Sequence, residues 1–315
     1  MLFIGFNVLV LILLAIDLGF FHKDSHEIKV KEALISSAVW INLIALLFNT
    51  GVYYFRGSED SIAFLTGYLI EKSLSIDNIF VFVMVFAYFK IPLKYQYKIL
   101  FWGIIGALIM RATMILAGTA LIQNFHWTLY IFGALLVITG IKMFTQKEDE
   151  HFEPENNPVV KLFKKFMPIS NKLSDKFFIR ENGLLMATPL FIVLLVIETT
   201  DLIFAVDSIP AIFGVTQDPF IVYTSNVFAI LGLRALYFAL AGIIDKFHYL
   251  KYGLSLILVF IGTKMLIAEI YKIPIFIALA VVISILIISV IISFLKPVKN
   301  LEDLNQTKNK EKINI

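Results

Sequence analysis

The chain of 315 residues contains no cysteine. That removes disulfides, thiolate metal sites and dithiol redox chemistry, and leaves oxygen and nitrogen as the only ligand atoms. Charge is scarce too: 16% of residues are Asp, Glu, Lys or Arg, 59% are hydrophobic, and mean hydropathy is +0.85. A cytoplasmic enzyme is excluded by that composition. No phosphate-binding loop is present, so ATP is not indicated as an energy source. No Gly-x-Gly-Asp signature marks an intramembrane aspartyl protease, and no enzymatic activity is expected. Neither a nucleic-acid partner nor a prosthetic group is implied. The net charge of +3 carries little weight, because in a membrane protein the placement of positive residues matters more than their sum.

The chain does have apolar length. Nine stretches, at 3–21, 33–54, 62–89, 99–122, 127–145, 184–213, 220–243, 252–269 and 274–295, can each cross a hydrocarbon core about 30 Å thick as a helix. The expected fold class is all-α: a polytopic membrane protein with about nine transmembrane helices, its surroundings the lipid bilayer. The first stretch lacks a basic n-region, exceeds an h-region and runs into His22-Lys23-Asp24 without a small-residue cleavage site; it reads as a helix, not a secretion signal. Nine spans put the connections 22–32, 90–98, 146–183 and 244–251 and the segment from 296 on one side. Those hold 20 of the 27 lysines and arginines; the other side has Arg56 and Lys272, and five lie within spans. The positive-inside rule then places the protein in the cytoplasmic membrane with its N-terminus outside and residues 296–315, polar and expected to be disordered, in the cytoplasm.

The long connection 146–183 opens acidic and then reads Pro158-Val-Val-Lys-Leu-Phe-Lys-Lys-Phe-Met167. Val159, Leu162, Phe163 and Phe166 share a helical face away from Lys161, Lys164 and Lys165, the pattern either of a short helix on an anionic surface or of a solvated loop with one amphipathic turn. Asn182-Gly183 is a turn pair suited to a small hairpin.

An internal repeat is legible. Asp77-Asn-Ile-Phe-Val recurs as Asp201-Leu-Ile-Phe-Ala, Arg111 as Arg234, Phe125-His126-Trp127 as Phe247-His248-Tyr249, and Gly140-Ile-Lys142-Met as Gly262-Thr-Lys264-Met. The expected organisation is two N-terminal helices (1–61), a first three-helix unit (62–145), a cytoplasmic loop (146–183), a second three-helix unit (184–270) and a last helix (271–295). Because each unit has an odd number of spans, the second must enter the membrane from the opposite side. Inverted repeats of this kind recur in transporters, with the binding site near mid-bilayer.

Span three carries Glu71 and Asp77; span six carries Glu198, Asp201 and Asp207. Uncompensated, five charged acids at helix centres would cost on the order of 12 to 18 kcal/mol. Glu198 and Asp201 lie within about 60° of each other on a helix and Asp207 about 180° from Glu198. Pro210 and Gly214 therefore suggest a kink or break near Asp207 that would free carbonyl ligands. With Asn78, Thr199, Thr200 and Ser208 beside them, the acids form a hard-donor set suited to Mn²⁺, Mg²⁺ or Ca²⁺ rather than Cu⁺ or Zn²⁺. The competing reading pairs them with Lys72, Arg111 and Arg234 as helix locks; a mixed case keeps Arg111 and Arg234 as permanent counter-charges. Asp17 reads as an interfacial residue near a helix end, His126 and His248 as part of an aromatic belt, and Lys142 and Lys264 as snorkelling side chains.

The stretches Glu71-Lys-Ser-Leu-Ser-Ile-Asp77-Asn-Ile-Phe-Val-Phe82 and Glu198-Thr-Thr-Asp201-Leu-Ile-Phe-Ala-Val-Asp207-Ser-Ile-Pro-Ala211 resemble the two signature motifs of the TerC/Alx family, and the likeness continues through Thr216–Ile221, Phe228–Tyr237 and Phe247–Tyr252. The resemblance implies manganese efflux across the cytoplasmic membrane, in a family named for a tellurite-resistance locus. It also carries the family's functional acids onto Glu71, Asp77, Glu198, Asp201 and Asp207. The expectation is a Mn²⁺ exporter working by alternating access around those acids. Proton antiport is the natural coupling, since metal and proton compete for the same oxygens. The rivals are a Ca²⁺ or Mg²⁺ exporter on the same site and a non-transporting scaffold or stress sensor.

Overall fold

The computed structural model describes residues 2–21, 42–145, 157–170, 172–181, 183–240 and 249–295, with backbone alone for 16–21, 235, 239 and 240. The elements are α1 (Leu2–Phe21), α2 (Asn42–Arg56), α3 (Ser58–Tyr88), α4 (Leu93–Asn124), α5 (Thr128–Thr145), α6 (Pro158–Phe166), β1 (Phe178–Glu181), β2 (Leu184–Ala187), α7 (Pro189–Phe213), α8 (Pro219–Leu231), α9 (Leu233–Leu240), α10 (Leu250–Leu266) and α11 (Ile275–Leu295). The fold is all-α apart from one hairpin. Among the described residues α4, α5, α7 and α11 are long and apolar enough to cross a membrane; α3, at 31 residues one shorter than α4, carries Glu71, Lys72 and Asp77. The settings of Asp17 and His248, the start of span two, the acidic opening of the long connection, the end of span seven and the segment 296–315 lie outside the described residues.

The centre of the molecule is α3, α4, α7 and α8. Helix α3 packs on both α7 and α8, and α4 packs on α7 and α8 in turn, with α2 flanking α3. Their inner faces are apolar wherever they are not charged: Phe64, Ile104, Ile115, Ile212, Phe213 and Phe228 fill one cluster, and Ile79, Phe82, Ile99, Val193, Val196 and Ile197 another. The two ends of this bundle are tied differently. At one, Gly57 (φ +97°) allows α2 to reverse into α3, and Arg56 bonds Asp60 at 2.7 Å and Asp218 at 2.5 Å. Asp218 in turn caps α8 by accepting from the amides of Phe220 and Ile221. At the other, Lys98 of α4 donates to the carbonyl of Asp175 and sits over Phe177, so the start of α4 and the long connection share one side.

The connection folds compactly. Asn157 accepts from the amides of Val159 and Val160 and caps α6. The face of α6 that meets the protein is Val160 and Phe163, the latter 5.0 Å from the Phe191 ring, while Val159, Leu162 and Phe166 are exposed. Strands β1 and β2 pair antiparallel from Phe178↔Ala187 to Glu181↔Leu184, with Gly183 in the turn at φ +80°. Leu184–Ala187 is consequently strand, and span six starts at Pro189 rather than 184.

The expected break near Asp207 needs correction. Helix α7 runs without interruption through Pro210 to Phe213. The missing N–H costs one bond to Val206, but Gly214 still donates to the Pro210 carbonyl at 3.0 Å, and Ile209, Pro210 and Ala211 are fully buried. Packing thus holds the last turn. Span seven is the one that divides, at Gly232 between α8 and α9.

Among the described helices α5 and α10 pack most extensively. A Cβ on Gly262 would lie 2.6 Å from the Gly133 carbonyl oxygen, and one on Gly140 would lie 2.8 Å from the carbonyl oxygen of Ser255. Backbone touches backbone, a contact only small residues permit.

Candidate functional site

On α3, Glu71, Ser75 and Asn78 recur at helical spacing and all face inward. Helix α4 brings Arg111 from the same face as Ile104, Ala107 and Ile115; α7 brings Asp201 and Ser208; α8 brings Asn226. Arg111 is 1% exposed and is the largest fully buried side chain described.

Its guanidinium joins all four helices. Nη1 donates to Glu71 Oε1, to Ser208 Oγ at 3.2 Å and to Asn226 Oδ1 at 3.3 Å. Nη2 donates to Asp201 Oδ1 at 3.0 Å and Nε to Asp201 Oδ2 at 3.3 Å, a side-on, two-point grip. Each acid has a second donor: Asn78 Nδ2 reaches Asp201 at 2.9 Å and Asn226 Nδ2 reaches Glu71 at 3.1 Å. Two carboxylates on one guanidinium sum to one formal negative charge when both are ionised. In a medium that solvates charge poorly, that arrangement attracts a further positive charge.

The other candidates lie apart. Asp77 is half-buried on α3; among the described residues no hydrogen bond reaches it, and the opposite charge that acts on it is that of Lys251 on α10. Glu198 is half-buried one turn before Asp201; its carboxylate occupies the notch at Gly106, where a Cβ would lie 2.0 Å from Oε1. Asp207 accepts from Thr139 Oγ1 of α5 at 3.1 Å. Thr199 and Thr200 donate their hydroxyl protons to the carbonyls of Leu195 and Val196 in their own helix. The Lys72 ammonium is buried with no hydrogen-bond partner among the described residues, and the Arg234 guanidinium lies 4.7 Å over the Tyr97 ring. Among the described residues no three of His, Asp or Glu converge to hold a metal. The structure therefore unites Glu71, Asp201, Arg111, Asn78 and Ser208, and leaves Asp77, Glu198, Asp207, Lys72 and Arg234 outside that cluster.

Asn226 is the member that sequence reasoning missed. It is a lone amide in the otherwise apolar run Pro219–Leu231 apart from hydroxyls, and a buried amide requires a partner. Of the residues assigned to the interface, His126 is exposed between Phe125 and Trp127 at the α4–α5 turn. Lys264 does not reach outward: it donates to the carbonyl of Gly214 at 3.0 Å, satisfying the end of α7.

Comparison with known proteins gives a consistent set of likenesses. The family described as "Integral membrane protein TerC family" matches residues 56–300. An uncharacterized membrane protein of Myxococcus xanthus is 51% identical over 94% of this chain and 92% of its own length. A protein of Escherichia coli K12 named "Putative membrane-bound redox modulator Alx" is 50% identical over 92% of both. An uncharacterized membrane protein of Rickettsia bellii is 45% identical over 96% and 99%. No solved structure matches.

Proposed function

The chain belongs to the TerC family of integral membrane proteins, and from that premise we propose that it exports a divalent cation, Mn²⁺ as the first candidate, from the cytoplasm through the buried carboxylates. The observation that carries this reading is the Arg111 junction. Glu71 and Asp201 come from separate helices of the two sequence units, and both are satisfied by a cation that the protein itself supplies. Two carboxylates, two amides and the Ser208 hydroxyl make an oxygen-rich set of the kind hard cations prefer. In the described conformation Arg111 holds the place between the acids; a cargo cation reaches them when the guanidinium swings aside. Asp77, Glu198 and Asp207 then serve as further carboxylates along the path.

Alternating access suits the packing. The offset of 122 that carries Gly140 onto Gly262 also carries Gly133 onto Ser255, and the close contacts pair Gly133 with Gly262 and Gly140 with Ser255. Reciprocal contacts of that kind are what a two-fold relation between the units produces, which supports the inverted-repeat reading. Carboxylates that release protons as they take metal make a proton the natural counter-ion.

The test is Mn²⁺ flux into proteoliposomes with a pH gradient imposed or absent. Loss of gradient-dependent flux in Asp201→Asn and Glu71→Gln, with the proteins still folded, is the expected result. Ca²⁺ or Mg²⁺ moving in place of Mn²⁺ would reassign the cargo. A second reading, a non-transporting scaffold or sensor, is favoured by the completeness with which Arg111 is paired, since helix locking needs nothing more. It predicts no flux of any of these ions from folded protein. A redox role of the kind named for the Escherichia coli relative would have to act without thiols of this chain, which has none.

A further inference from the structure

Asp201 of the Arg111 junction borders open space. A cavity of about 10 Å³, room for roughly one water, is lined by Asp201 and Arg234 together with Phe82, Gly103, Ala107 and Ile197. Asp201 and Arg234 are 4% and 3% exposed, so little of the carboxylate is reachable from solvent. The lining residue Arg234 is part of a stack: its guanidinium lies 4.7 Å over Tyr97, and the Tyr97 ring lies 4.7 Å from Phe238 at an interplanar angle of 19°. Tyr97 is one turn into α4, next to Lys98, which is tied to the long connection. The stack therefore closes the bundle end of residues 90–98. Toward the opposite end the helices approach closely. One turn from Glu71, a Cβ on Gly67 would lie 2.9 Å from Ser225 Oγ and 3.2 Å from Ile212.

We propose that the stack of Arg234, Tyr97 and Phe238 is a gate, and that the cavity behind it is the route by which a small cation reaches Asp201 from the 90–98 side. The moving part is α9. It is separated from α8 at Gly232 and carries both Arg234 and Phe238, and its Tyr237 hydroxyl latches it to Gln96 of α4 at 2.7 Å. Swinging α9 away removes the positive charge and the aromatic cover together, which opens the way to a carboxylate only for as long as the guanidinium is absent. That the visitor is a transported divalent cation rests on the function proposed above; the gate itself does not.

The absence of cysteine makes the test direct, since any introduced thiol is unique. Ala107→Cys places one on the cavity wall, Phe166→Cys one on the exposed surface, and Ala229→Cys one in the packed core of α8. Each is labelled with a membrane-impermeant trimethylammonium methanethiosulfonate in inside-out and right-side-out vesicles. Labelling at 107 should be slow in the otherwise native chain. It should rise roughly 2- to 30-fold, the range a lost cation–π contact spans, with Arg234→Ala or Tyr97→Ala, and only from the face of the 90–98 connection. Tyr97→Phe, which keeps the ring, should stay slow. The gate is overturned if the rate at 107 is unchanged, if it rises equally from both faces, or if position 229 becomes reactive in parallel, which would mean a loosened bundle. Mn²⁺ flux recorded on the same vesicles separates the two claims. Gate-dependent labelling without flux sinks the transport reading alone, and normal flux with unchanged labelling sinks the gate alone.

Discussion

The α3–α4–α7–α8 centre and the α5–α10 seam join helices by opposite means. At the centre, a buried guanidinium of one helix bonds two carboxylates, a hydroxyl and an amide from three others; at the seam, glycines let two backbones meet with no charge between them. Inside a membrane the apolar face of a helix gains little by leaving lipid for protein, so close packing and polar bonding are the available ways to hold helices together. The seam uses the inexpensive one. The centre uses the expensive one, which points to a task beyond cohesion. It follows that the centre should be sensitive to charge and tolerant of volume, and the seam the reverse.

The largest effect should come from Arg111→Met. Removing the cation leaves Glu71 and Asp201 buried and facing each other, a loss of about 3–5 kcal/mol, visible as a lower thermal unfolding temperature in detergent. Neutralising the acids as well, in Arg111→Met with Glu71→Gln and Asp201→Asn, should recover most of that stability while flux stays absent. A triple variant that transports normally would show that the junction only locks helices. Next in size is Gly262→Ala, whose methyl would meet the Gly133 carbonyl at 2.6 Å; overpacking there should cost about 1–3 kcal/mol, and Gly133→Ala, whose methyl would lie 3.0 Å from the Gly262 carbonyl oxygen, should cost less. If the two glycine variants unfold like wild type, the seam is not close-packed in the membrane and the contrast fails.

A smaller loss, about 0.5–2 kcal/mol, is expected for Arg234→Met, which removes the contact with Tyr97. Arg234 matches Arg111 in the sequence repeat, and a loss as large as that of Arg111→Met would mean that the two play the same part. The smallest effect belongs outside the membrane. Glu181 in the hairpin accepts from Lys172 at 2.5 Å and from Ser170 at 3.1 Å, and these bonds, Lys172 first, hold its carboxyl below the usual range. The sign follows: the contribution is present at neutral pH and is lost as pH falls through and below the ordinary carboxylate range. Amide protection factors in Phe178–Ala187, corrected for the intrinsic pH dependence of exchange, should fall on acidification in wild type and stay flat over the same range in Glu181→Gln.

Much of this architecture is legible in the amino-acid sequence. Long apolar runs specify helices because nothing else satisfies the backbone in hydrocarbon. Asn182-Gly183 announces the hairpin through the positive φ that Gly183 adopts. The acids are conspicuous because they break apolar runs, and Arg111 because it is a lone cation in one. Local reasoning fails at Pro210, where burial of Ile209–Ala211 overrides the proline, and at the start of span six, where apolar Leu184–Ala187 pairs as a strand. A short apolar run reads the same in either state.

The composition and periodicity of the chain alone determined that it is an all-α membrane protein carrying costly acids in two matched stretches, because the bilayer imposes length and hydropathy on any span. Only the tertiary structure decided which acids meet. Glu71 and Asp201 lie 130 residues apart, and Asn226 arrives from a helix whose sequence announces no site. Helical spacing says which side chains share one face of one helix. Which faces turn toward each other is a property of the packing, and there Glu71 and Asp201 share Arg111 while Asp77, Glu198 and Asp207 look elsewhere.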